Sequence, residues 1–157
     1  MATQLRKELA YDASVEEVAA MLQDPVFREK VLEALRVVRG SVGVEGSRVT
    51  LTQVWSSDKL PSFARKFVGD EIEIVQEETW DAPNGADMTM TISGKPGDMS
   101  GTSVLEPTST GSTVQRVDLT IKVGVPFVAG KIERLVAEML TNALDKEHRT
   151  GVAWLAR

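Results

Sequence analysis

The sequence contains no cysteine and a single histidine, His148. Disulfides, thiolate metal sites and cysteine nucleophiles are thereby excluded, and a zinc site, which takes three or four protein ligands, has one imidazole at most to draw on. There is also no apolar run near the roughly 18 residues that cross a bilayer as a helix. The first ten residues carry Arg6, Lys7 and Glu8 where a secretion signal would have an apolar stretch. A soluble cytoplasmic protein without integral membrane contact is expected. Positive charge is in deficit as well: 18 Lys and Arg face 23 Asp and Glu, a formal charge of −5. No basic cluster suited to a phosphate backbone stands out, so nucleic acid is not an expected partner. The remaining composition, 42% hydrophobic and 26% charged over 157 residues, is that of one ordinary globular domain spanning 1–157. A domain of this size buries roughly 68–70% of the surface its unfolded chain exposes.

Thr3 to Ala10 reads as a short strand with Leu5 and Leu9 on one side, ended by Asp12 and Ser14. Ser14-Val15-Glu16-Glu17 has the spacing of a capping box, and Val18 and Leu22 follow at helical intervals. Asp24-Pro25 starts a second short helix with Phe27, Val31 and Leu35 on one face. From Arg36 to Val123 the hydrophobic period changes to two, interrupted by Gly and Pro at hairpin intervals. Strands are predicted at Val37–Val44, Arg48–Trp55, Glu71–Asp81, Asp87–Gly94, Ser100–Pro107 and Thr113–Val123. After the second of these, Leu60-Pro61 opens a short segment with Phe63 and Phe67 one helical turn apart. Beyond Gly124, Pro126 lies at a plausible start for a long final helix. Its stripe of Val128, Ile132, Leu135, Val136, Met139, Ala143 and Trp154 must bury against the concave side of the sheet. Glu133, Arg134, Glu138, Asp145 and His148 are expected on its flanks or outer side, with His148 in solvent.

The order of strand, two short helices, six antiparallel strands and long C-terminal helix resembles the START-like (SRPBCC, helix-grip) superfamily across essentially the whole chain. Ser14-Val15-Glu16-Glu17-Val18 with Asp24-Pro25-Val26-Phe27 looks like that family's entry into its paired helices. Val125-Pro126-Phe127 with Gly130-Lys131-Ile132-Glu133 looks like its entry into the last helix. More narrowly, the chain resembles a branch catalogued as a domain of unknown function. The resemblance implies an α+β helix-grip fold, a curved sheet closing on the long helix, with a cavity that in many relatives holds lipids, sterols or polyketides. The motifs are structural and carry no catalytic residue.

Small-molecule pockets are mostly apolar with a few polar groups that orient the ligand. In Glu71–Asp81 the period places Ile72, Ile74, Gln76, Glu78 and Trp80 on the concave side. A carboxylate held there would have a raised pKa, as functional acids often do; a bulge at Gln76 would instead turn Glu78 outward. Met88, Met90 and Ile92 share a face of the next strand, and Met139 joins them from the helix. Methionine suits a wall that must fit irregular shapes, although ordinary core packing explains the same residues. Val117, Leu119, Ile121 and Val123 form an inward row that serves as core and cavity wall, opposite Ile132, Leu135 and Val136. Phe63 and Phe67, flanked by Arg65 and Lys66, form either a lid over the cavity mouth or a loop packed on the core.

No Ser-His-Asp set, phosphate-binding loop or carboxylate dyad can be assembled, so no catalytic residue, metal or cofactor is assigned. The favoured reading is non-catalytic binding of an apolar small molecule, lipid-like or polyketide-like, with Gln76 or Glu78 orienting a polar end. It fails if side chains fill the concave side. An enzyme of the cyclase or hydrolase type using a buried acid is the second reading. A protein-interaction module with a collapsed cavity is the third.

Overall fold

The computed structural model describes residues 2–157. Strand β1 (Thr3–Tyr11) leads into helices α1 (Val15–Leu22) and α2 (Pro25–Leu35). Strands β2 (Arg39–Glu45) and β3 (Arg48–Ser56), helix α3 (Ser62–Val68), strands β4 (Glu71–Ala82), β5 (Gly85–Ile92), β6 (Gly97–Pro107) and β7 (Thr113–Val123), and helix α4 (Ala129–Leu155) complete the chain. The seven strands form one curved antiparallel sheet in the order β1-β7-β6-β5-β4-β3-β2. Every neighbouring pair but one is a sequence-adjacent pair; the exception, β1 with β7, is the long-range closure that α1 and α2 make possible by carrying the chain from one sheet edge to the other. The architecture is the α+β helix-grip arrangement, with α4 packed against β1, β7 and α2.

Local chemistry explains the helix starts. Ser14 accepts from the Glu17 backbone N–H while the Glu17 carboxylate accepts from the Ser14 N–H. Asp24 caps α2 by accepting from the Val26 N–H, with Pro25 at the first helical position. Arg36 ends α2 in the left-handed conformation at φ 58°, which moves the start of β2 from Val37 to Arg39. The final helix begins three residues after Pro126, because Phe127 stands at φ 69° and only Val128 caps the first turn. Phe127 is left fully exposed.

The inward face of α4 is rotated from the expected stripe. Its buried residues are Ile132, Glu133, Val136, Leu140, Glu147 and Gly151, whereas Leu135 and Met139 lie half-buried on the flank. A stripe drawn through apolar residues alone misplaces the face because two of its members are glutamates whose burial is compensated by partners. Glu133, expected outside, accepts from the Val123 backbone N–H at 3.0 Å and from the Thr3 hydroxyl at 2.9 Å, fastening the helix to β7 and β1. His148 is likewise not a free surface residue: it is half-buried, bonds the Ala10 carbonyl through Nε2 at 2.7 Å and meets the Tyr11 ring edge-on.

Gly97, Gly101 and Gly151 are each required by close approach. A Cβ at Gly151 would come within 2.8 Å of the Tyr11 ring, and one at Gly101 within 1.8 Å of the Asp118 carbonyl oxygen across the β6–β7 pair. Because a backbone atom cannot swing aside, Gly101→Ala is expected to destabilise the protein by about 2–3 kcal/mol, read as a lower urea midpoint with unchanged slope; an unchanged midpoint contradicts the close approach.

Candidate functional site

α2 buries Phe27, Arg28, Val31, Leu32 and Leu35, so an arginine stands on a face that is otherwise apolar. Its side chain is 2% exposed and each of its three guanidinium nitrogens donates a hydrogen bond. Nε donates to the Leu22 carbonyl at 2.6 Å, one of the carbonyls left without a helical partner at the end of α1. Nη1 donates to Glu147 Oε1 and Nη2 to Glu78 Oε1, each at 2.7 Å. Arg28 thus joins α1, α2, β4 and α4 through one planar group.

Glu78 faces inward, 3% exposed, because β4 keeps its alternation through Gln76; the register shift lies further on, between Thr79 and Ala82. Its carboxylate also accepts from the Trp80 indole N–H at 3.2 Å and the Gln76 amide at 2.5 Å. All its main acceptor directions are therefore engaged. Glu147 differs. Burial raises its pKa, the nearby Arg28 charge opposes that rise, and the Glu78 carboxylate adds to it. Burial also acts against the Arg28 charge, yet the two carboxylates outweigh it and hold the arginine pKa above its ordinary value. Tyr11, 1% exposed, has its pKa raised by burial and by Glu147, and its hydroxyl has no hydrogen-bond partner.

This cluster borders a cavity of about 50 Å³ between the sheet, α2 and α4. Its polar lining residues are Arg28, Gln53, Gln76, Glu78, Gln115 and Glu147; its apolar ones include Leu51, Met88, Met90, Val117, Leu119 and Leu140. The cavity lies where the two halves of the core meet, one around Phe27, Val49 and Leu105, the other around Met90, Leu119 and Ile132. Its volume accommodates about three or four water molecules and is well below the roughly 300 Å³ at which drug-sized pockets begin.

Of the residues expected to contact a ligand, Gln76, Glu78, Met88, Met90, Val117 and Leu119 stand on this wall. Trp80 touches the cluster through its indole N–H but lies off the wall. Ile121 and Ile132 are core residues, and Ile92 and Val136 line a separate space of about 10 Å³ beside the β5–β6 turn. Leu135 and Met139 stay on the flank of α4. Phe63 and Phe67 on α3 pack on the far half of the core under Lys131 and Lys95, 6.0 and 5.8 Å from their ring centres, and do not reach the cavity. Sequence reasoning missed Arg28, Gln53, Gln115 and Glu147. Period two extended backward from Val117 reaches Gln115, and from Leu51 forward reaches Gln53. Among the described residues no three His, Asp or Glu side chains converge as a metal site requires, and no helix is long and apolar enough to cross a membrane.

A family model described as a protein of unknown function, DUF2505, matches residues 7–155. The chain belongs to the DUF2505 family. An uncharacterized protein of Mycobacterium tuberculosis, Rv0481c, is 30% identical to this DUF2505 chain over 161 residues, covering 92% of each. Solved structures share the fold at lower identity. A START superfamily protein from Mycobacterium smegmatis superposes with a TM-score of 0.66 at 16% identity, over 97% of this chain and 98% of that one. Norcoclaurine synthase from Thalictrum flavum, in complex with dopamine and hydroxybenzaldehyde, gives 0.70 at 15% identity, over 100% of this chain and 89% of that one. The START-like architecture of the DUF2505 chain is thereby shown.

Two outcomes follow from the charge cluster. Removing the cation alone leaves two buried carboxylates, so Arg28→Met is expected to cost about 3–5 kcal/mol in urea unfolding near neutral pH; a loss below about 1 kcal/mol contradicts the triad. Because the folded pKa of Glu147 is raised, the native state holds an extra proton just above the ordinary carboxylate value of 4.5, and stability falls as pH rises through the folded pKa. Glu147→Gln removes that penalty while keeping an oxygen for Arg28. The variant should match or exceed the parent at alkaline pH, with its relative advantage shrinking on acidification. A stability deficit that grows with pH contradicts the raised pKa.

Proposed function

We propose that this START-like chain, one domain over residues 1–157, is a cytoplasmic, non-catalytic binding protein for a small apolar molecule, lipid-like or polyketide-like in character. The molecule would sit between sheet and α4, its polar end toward Gln76, Glu78 and Glu147 and its apolar body against Met88, Met90, Val117 and Leu119. The observation that carries this reading is the convergence of six polar side chains from α2, β3, β4, β7 and α4 on one otherwise apolar cavity. A purely structural core is served better by well-packed apolar residues, since a buried ion pair is weak support for stability. Phe63, Phe67, Trp80, Ile92, Ile121, Ile132, Leu135, Val136 and Met139 are second-layer or distant residues in this account, not direct contacts.

The cavity at about 50 Å³ requires its wall to move before a ligand enters. Met88 and Met90 supply that adaptability through their unbranched side chains. α3 buries only Ala64 completely and is loosely attached, so the end of the core it covers can also yield.

A second reading, an enzyme using a buried acid, is favoured by one specific observation. Glu147 has a raised pKa and a carboxylate oxygen free of hydrogen bonds among the described residues, as a proton donor needs. In this reading the acid is Glu147, not the fully engaged Glu78. The fold shared with norcoclaurine synthase is compatible with it.

Ala143 lies on the cavity wall. Ala143→Leu places apolar volume in the space a ligand would use, so it is expected to cut binding of an apolar fluorophore at least about tenfold while keeping Tm equal or higher. Undiminished fluorophore binding by a folded Ala143→Leu protein contradicts the location.

A further inference from the structure

Resting on the binding reading above, we infer that the ligand carries a polar end rich in hydrogen-bond donors, a hydroxyl, phenol or amine, and that carboxylic acids of the same size are rejected. The inference follows from which polar atoms of the wall are already used.

Gln115 is 4% exposed and projects from β7 into the cavity. Its amide nitrogen donates to the Ser103 hydroxyl at 2.9 Å, which fixes the amide orientation and leaves Oε1 buried with no partner. Glu147 uses Oε1 for Arg28, and Gln76 uses its Nε2 for Glu78; among the described residues nothing donates to Glu147 Oε2 or Gln76 Oε1. All three residues line the same space. Against these three acceptors stand the Gln53 amide nitrogen, whose partner oxygen accepts from Trp55, and the second N–H of each terminal nitrogen of Arg28, a group that already faces two carboxylates. The arginine that would ordinarily attract an anion pairs each of its three nitrogens, with Leu22, Glu78 and Glu147, and its charge is already offset by two carboxylates.

The charge count points the same way. Two carboxylates and one guanidinium face the cavity, so the wall is neutral when Glu147 is protonated and negative when it is not. An entering carboxylate would meet acceptors at close range and a single guanidinium already paired with two carboxylates, and burial without a cation of its own penalises its charged form. A hydroxyl or phenol can donate to Gln115 or Glu147 while accepting from Gln53. An amine donates to the same acceptors and, if charged, offsets the second carboxylate.

Calorimetric titration with four ligands of one apolar body, 4-propylphenol, 4-propylbenzylamine, propylbenzene and 4-propylbenzoate, tests the inference on the unaltered protein. The expected order places the phenol or the benzylamine about tenfold tighter than propylbenzene, with the benzoate weakest by a further factor of about ten or more. Benzoate binding as tight as the phenol, or propylbenzene equal to both donors, overturns the donor rule while leaving the binding reading intact. If none of the four binds, the binding reading itself fails and the inference with it. Gln115→Leu supplies an independent arm: it should reduce the phenol's advantage over propylbenzene about fivefold. A folded variant with the full advantage retained removes Gln115 from the site.

Discussion

The guanidinium of Arg28 is the one group that α1, β4 and α4 all need. α1 ends against it, β4 keeps Glu78 buried because of it, and α4 turns Glu147 inward toward it. An arginine in this position requires its donors to be satisfied, since an unpaired buried cation is far more costly than the pair is beneficial. The chain meets that requirement with two carboxylates and a helix-end carbonyl. This one constraint sets the rotation of α4, and the rotation decides which side chains border the cavity.

The fold was legible in the sequence to a large extent. Capping chemistry at Ser14 and Asp24, the change from helical to two-residue period after Arg36, and turn residues at each hairpin all act locally, so they can be read without knowing tertiary partners. Strand alternation, also a local rule, put Gln76 and Glu78 inward but left open a bulge at Gln76 that would turn Glu78 outward, and the register shift in fact lies beyond it, between Thr79 and Ala82. The exact face of α4 was not. A hydrophobic stripe assumes that charged residues face water, and Glu133 and Glu147 break that assumption by finding partners more than a hundred residues away or on a neighbouring strand end. Arg28 was hidden by the same assumption. Once Glu78 points inward, however, a buried cation is required, and an arginine on the Leu32–Leu35 face of α2 is the residue that meets it.

Phe63 and Phe67 illustrate the other kind of miss. Their one-turn spacing is correct, as α3 shows, but spacing within a short helix says nothing about which part of the core it covers. The structure sets them under Lys131 and Lys95, at the end of the sheet away from the charge cluster. Shared fold with a START superfamily protein and a synthase cannot supply the missing contact either, because function resides in the particular side chains around the cavity. Here those side chains are three glutamines, two glutamates and an arginine facing methionines and aliphatic residues.

A binding role requires that this cavity receive a ligand. The chain has six methionines, and among the described ones only Met88 and Met90 border the cavity. Methyl-labelled methionine NMR spectra recorded with and without 4-propylphenol therefore locate binding directly. Saturable shifts concentrated at Met88 and Met90, with Met21, Met99 and Met139 little changed, are the predicted result. No saturable shift at those two, or shifts centred on Met99 or Met139, would contradict it.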